Sequence, residues 1–274
     1  MSENDTPGTA NPASRFPVIR SVKPGAVVGW MRGGWHDLRR SGWPSLFYGS
    51  CFAIAGWLMQ IVFAEAYALF AGLTTGFLLV GPFLTLGLYD LSRRIEFGMP
   101  PRLLPTLAAW RPNLPNVGLF AALLAIVLLV WARASIIVFA LFFTGGFPTF
   151  GNVVHTVLTF EQLDFALVYF AVGGFFAMFV FAISVIAVPL MFDRKTDAVT
   201  ATIASLVACS RNPVPLLLWG TCIGILGIIG FATFFVGLII TMPLVGHSTW
   251  YAYRDIVAPE EDEKLDDEDA AAVA

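Results

Sequence analysis

The stretch VGPFLTLGLYDLSRRIEFG, residues 80–98, decides how the rest of the chain is read. A proline stands inside an apolar run, and seven residues later the run breaks into Tyr89-Asp90-Leu91-Ser92-Arg93-Arg94. A membrane helix leaving the bilayer is punctuated in this way. Proline removes one backbone hydrogen bond and bends the axis, which neighbouring helices accommodate. Tyr89 suits the interface, and Arg93 and Arg94 suit the cytoplasmic end. The pattern returns as MPLVGHSTWYAYRDIV, residues 242–257, where Pro243 stands as far from Arg254 as Pro82 does from Arg93.

Composition agrees with a membrane setting. Hydrophobic residues form 57% of the 274, charged residues 13%, and the mean hydropathy is +0.76. A soluble domain carries about a quarter charged residues. Eight of the 19 acids lie in EEDEKLDDED, 260–269, a like-charge block that reads as a solvated tail. Without residues 258–274 the chain has 15 basic and 11 acidic residues, so the body is mildly basic. The expected organisation is a polar disordered tail over 1–23, a six-helix transmembrane domain over 24–257 and an acidic disordered tail over 258–274. No signal peptide opens the sequence.

About 20 apolar residues cross the hydrocarbon core. Six candidates result, at 45–64, 66–90, 116–143, 165–192, 213–232 and 233–251, with the last pair open to a hairpin that fails to cross. Fifteen of the 16 basic residues precede the first span, follow the last, or separate spans two and three or four and five. By the positive-inside rule both termini are then cytoplasmic, and the loop 144–164 is external. Arg133 is the exception. It is expected in the outer part of span three, either snorkelling to the interface or paired with Glu65, Glu161 or Asp164.

The three pairs resemble one another. Each is preceded by a basic residue near a proline, in RRSGWPS (39–45), WRPNLP (110–115) and SRNPVP (210–215), and each carries a late proline: Pro82, Pro189 and Pro243. The expected fold is therefore all-α, six transmembrane helices as three pseudo-repeated hairpins, each after a short interfacial helix. The first such helix places Val27, Val28, Trp30, Met31, Trp35 and Leu38 on one arc, against Arg32, His36, Arg39 and Arg40. Beyond kink and stop, the three exits could bring Asp90, Asp193 and Asp255 to one cytoplasmic site.

The blocks WMRGGWHDLRRSGWPSLFYG (30–49), GPFLTLGLYDLSRRIEFG (81–98) and PLVGHSTWYAYRDIV (243–257) resemble a bacterial integral-membrane family catalogued as domain of unknown function 2189. The likeness runs from about residue 17 to 257. It implies a multi-span inner-membrane protein of Gram-negative bacteria and brings no activity or catalytic residues.

Chemistry is sparse. His36, His155 and His247 lie far apart, and Cys51, Cys209 and Cys222 have no metal spacing. No phosphate loop, zinc motif or nucleophile elbow occurs. His247 is expected to hydrogen-bond a neighbouring helix. Gly72-x3-Gly76 and Gly220-x3-Gly224 suggest close helix packing, within the chain or between copies. No cofactor, metal or nucleic acid is implied, and catalysis is not expected. Two roles remain: an accessory or scaffolding subunit for another membrane complex, or a small-molecule or lipid carrier with a path between hairpins. Scarce charge within the spans favours the first. The docking rim would comprise Trp30, Trp35, Arg39, Tyr89, Asp90, Arg93, Tyr251, Arg254 and Asp255, with Trp43, Trp110 and Trp250 beside it.

Overall fold

The computed structural model describes residues 16–65, 84–142 and 163–259, and all its regular elements are helices. In chain order they are α1 (Ala26–Ser41), α2 (Trp43–Glu65), α3 (84–96), the short α4 (Leu103–Thr106), α5 (Leu114–Phe142), α6 (Leu163–Ser184), α7 (Ala187–Arg194), α8 (Ala198–Arg211), α9 (Pro213–Ala232) and α10 (Leu238–Ile256). Pro82, Glu161, most of the loop 144–164, Gly72, Gly76 and the acidic tail from 260 lie outside the described residues.

Three helical stretches are long and apolar enough to cross a membrane: Leu103–Phe142, Leu163–Arg194 and Pro213–Ala232. They bury little. α5 buries only Val117, Phe120, Ala121 and Val138, and α6 only Phe165 and Ile183. These two pair through a ladder of rings, with Trp131 5.5 Å from Tyr169 and Phe139 5.2 Å from Phe165. Outward they present Leu119, Ile126, Ile137, Leu167, Phe170 and Phe175, as lipid-facing helices do.

The last expected span differs. Thr233–Gly237 is a turn in which Phe234 and Phe235 take positive φ, and α10 begins only at Leu238. It is not among the helices apolar enough to cross on composition. The reason is its burial: α1, α2 and α9 pack on it, so Thr241, His247, Ser248 and Thr249 are sequestered by protein instead of facing lipid. α10 is the central helix of a compact end whose core joins Trp30, Phe120, Ile186, Met191, Trp219, Trp250 and Tyr253.

Of the three late prolines, Pro189 and Pro243 are among the described residues, and they act differently. Pro189 lies in the first turn of α7, and the chain breaks at Val185–Ile186, one turn before it. Ser205 of α8 fills the break, accepting from Ile186 N at 3.2 Å and donating to Ala182 O at 2.7 Å. Pro243 lies inside α10, so Ile239 O loses its usual donor. Gly49 of α2 packs on that carbonyl so closely that a Cβ there would lie 2.1 Å from the oxygen.

Residues 16–23, expected in the polar tail, are pinned instead. Ile19 bridges Val257, Asn212 accepts from Val22 N at 2.7 Å and donates to Arg20 O at 2.9 Å, and Arg211 donates to Ile19 O at 2.9 Å. The chain ends of the described body therefore meet. α8 packs on α6 and α7, Leu103 of α4 on Leu88 and Leu91 of α3, and α1 on α10.

Candidate functional site

α1 reaches α10 through its glycines. A Cβ on Gly34 would lie 2.1 Å from Ser248 Oγ and 2.7 Å from its backbone nitrogen, and one on Gly33 would lie 2.8 Å from the Tyr251 ring. This approach inverts part of the expected arc. Trp30 and Leu38 are buried, but so are Gly34, Asp37 and Ser41, while Val28 and Trp35 face outward. Asp37 lies seven residues, two turns, after Trp30, so it shares the packed face.

A chain of buried polar groups follows. Ser41 Oγ donates to Asp37 O at 2.7 Å and meets Ser45 Oγ. Ser45 Oγ lies 2.7 Å from His247 Nε2, and His247 Nδ1 lies 2.7 Å from Ser92 Oγ. His247 thus bonds neighbouring helices, as expected, and joins α2 to α3. Ser92 lies beside the Asp37 carboxyl, where a hydrogen bond from its hydroxyl works against a raised proton affinity. Asp37 Oδ1 accepts from Tyr251 OH at 3.1 Å and lies 3.2 Å from His36 Nδ1. Asp37 Oδ2 is buried without a hydrogen-bond partner among the described residues. Burial pushes this carboxyl above its ordinary value of 3.8, against the pull of its hydrogen bonds.

Beside this chain, residues 250–255 of α10 reach every other exit. Trp250 Nε1 donates to Glu96 at 3.0 Å, and Tyr253 OH donates to Asp193 at 2.7 Å. Arg254 lies 2.8 Å from Glu96 and 3.7 Å from Asp193, and Asp255 accepts from Trp30 Nε1 at 3.0 Å. The Tyr89 ring lies tilted against Trp250 at 6.3 Å and Phe192 meets it edge-on at 6.0 Å, with Arg93 4.6 Å over Phe192. The exits do converge, but through Glu96 and Asp193 around Arg254. Asp90 bonds Arg93 and Arg94 of its own helix at 3.5 and 3.0 Å, and Asp255 is taken by Trp30.

The expected rim therefore divides. Trp30, Tyr89 and Trp250 are core residues rather than a docking face. Trp35 and Trp43 are exposed, with Arg39 4.9 Å over the Trp35 ring, and Arg111 lies 5.7 Å over Trp110. Arg133 is exposed on α5 with no ion pair among the described residues, and the side chain of Glu65 lies outside them. Gly224 faces open space and Gly220 meets only the Phe181 ring at 3.5 Å, so that glycine pair makes no close helix contact within the described body. No group of three metal-ligating side chains occurs among the described residues.

Apolar helices of spanning length around a polar-cored compact end define an integral membrane protein. Residues 69–193 match the model of a family described as predicted integral membrane protein (DUF2189), the family that the sequence resembles. The match includes Ser92, Glu96 and Asp193 but neither α1 nor α10. No curated protein and no solved structure matches the chain.

Proposed function

We propose that this protein is a non-catalytic accessory or scaffolding subunit of the bacterial inner membrane, docking another membrane protein through the outer face of α1. One observation carries the reading: the Trp35–Arg39 stack stays exposed, while the polar tips of Trp30, Trp250, Tyr251 and Tyr253 are all taken up by acids of the same chain. The exposed face adds Arg32, Arg40, Val28 and Trp43 and carries no exposed acid, which suits a partner presenting carboxylates beside an apolar surface. Tryptophan and arginine most often dominate such contacts.

The proposed topology is six crossings with both ends cytoplasmic. It is supported by the Ile19–Val257 bridge and by the meeting of the segments around residues 20, 96, 113, 193 and 212 at one end of the molecule. Asn113, for example, donates to Met191 O and Thr196 O.

The test replaces Trp35 and Arg39 by alanine together. A photo-crosslinker at exposed Val28 should capture one membrane protein while Trp35 and Arg39 are in place and none after the double replacement, with the protein still inserted and monodisperse. The carrier reading has one observation of its own, the buried chain from Asp37 to His247. Substrate-dependent flux in liposomes containing only this protein would install it instead.

A further inference from the structure

The hydrogens of the buried chain can be assigned from its ends. Ser41 Oγ has two acceptors in reach, Asp37 O at 2.7 Å and Ser45 Oγ, and the assignment follows from placing its proton on the carbonyl. Ser45 must then donate to Ser41, which leaves Ser45 Oγ as the acceptor for His247 Nε2–H. Nδ1 of the neutral ring is in turn an acceptor, and Ser92 donates to it. The one Ser92 proton is spent. A free Ser92 hydroxyl would steady a charged Asp37, but this one offers the carboxyl only its lone pairs.

We propose that Asp37 is a proton-binding site: it holds a proton, buried between α1, α3 and α10, on the oxygen that lacks a donor. The proton is Oδ2–H, while Oδ1 keeps its contacts with Tyr251 and His36. Other charged or titratable groups nearby do not neutralise a carboxylate there from within. From α1 comes His36, 61% exposed and 3.2 Å from Oδ1; from α10 come Tyr251, a donor, and His247, whose acceptor nitrogen faces Ser92. Glu96 and Arg40 act on Tyr251 with opposite signs, and α2 contributes only Ser45. Burial raises the proton affinity of Asp37.

Infrared difference spectroscopy with labelled aspartate tests the site on the full chain in nanodiscs. A protonated-carboxyl band should persist well above the ordinary carboxylate range and be lost in Asp37→Asn. Nitrogen NMR of His247 should report the Nε2–H tautomer over the same range. Ser92→Ala supplies a second reading without touching the carboxyl. With the Ser92 proton given to His247 and not to Asp37, its loss should leave the pH at which the band disappears unchanged. A move to higher pH would mean that Ser92 donates to a charged Asp37, and would overturn the proposal. So would an imidazolium signature at His247, or a band that survives Asp37→Asn.

Discussion

Asp37 shows how one residue sets a pH dependence for the whole fold. Its folded-state proton affinity is raised, because its carboxyl is 1% exposed and short of donors. A raised acid contributes stability that is complete below the unfolded value, near 3.8, and is lost as pH rises through the folded value. Above that value folding must bury a charge. The melting temperature of the native chain should therefore fall relative to Asp37→Asn as pH climbs from the carboxylate range towards neutrality. Asparagine still accepts from Tyr251 and carries no charge to bury. Thermal scans of both chains in one detergent measure the difference. A native chain that gains on the variant with rising pH would place a stabilised carboxylate at this position.

Among the elements, α10 depends on close approach more than on apolar area. Gly34 admits it to α1, and Gly49 of α2 covers the carbonyl that Pro243 strands. Gly49→Ala should cost about 1–3 kcal/mol, as overpacking does, because its added carbon meets backbone that cannot turn aside. Gly34→Ala should cost a similar amount, since Ser248 N and Cα lie within 3.0 Å of the new carbon. Gly224→Ala, which meets nothing within 4 Å, is the control and should leave the melting temperature unchanged. Much of the helix order was readable from hydropathy and punctuation: α2, α5, α6 and α9 lie on their expected spans. α10 was harder, because its polar inner half looks like an interface in one dimension and is a core in three. The same holds for Trp30 and Trp250, whose composition suits headgroups and whose indole N–H groups are used by Asp255 and Glu96. The buried chain was legible only at His247. Asp37 could have been found from its seven-residue spacing to Trp30, but nothing in the spacing pairs Ser45 with Ser92.

At the scale of the molecule the basic segments share one end, and the proposed orientation places that end in the cytoplasm. Alkaline phosphatase fused after Pro148 should be active, and fused after Arg94 or Lys195 it should be silent; activity at either of the latter would reverse the orientation. The Ile19–Val257 bridge has a consequence of another kind. With α1 resting on α10 as α8 rests on α6 and α7, the body is closed like a ring, and the place where the backbone happens to be cut is one seam among several. A gene joined across that seam and reopened at the exposed turn 97–100 would encode the same ring with its ends moved. The synthesis order of the helices would change, while every contact around Arg254 would remain available to form.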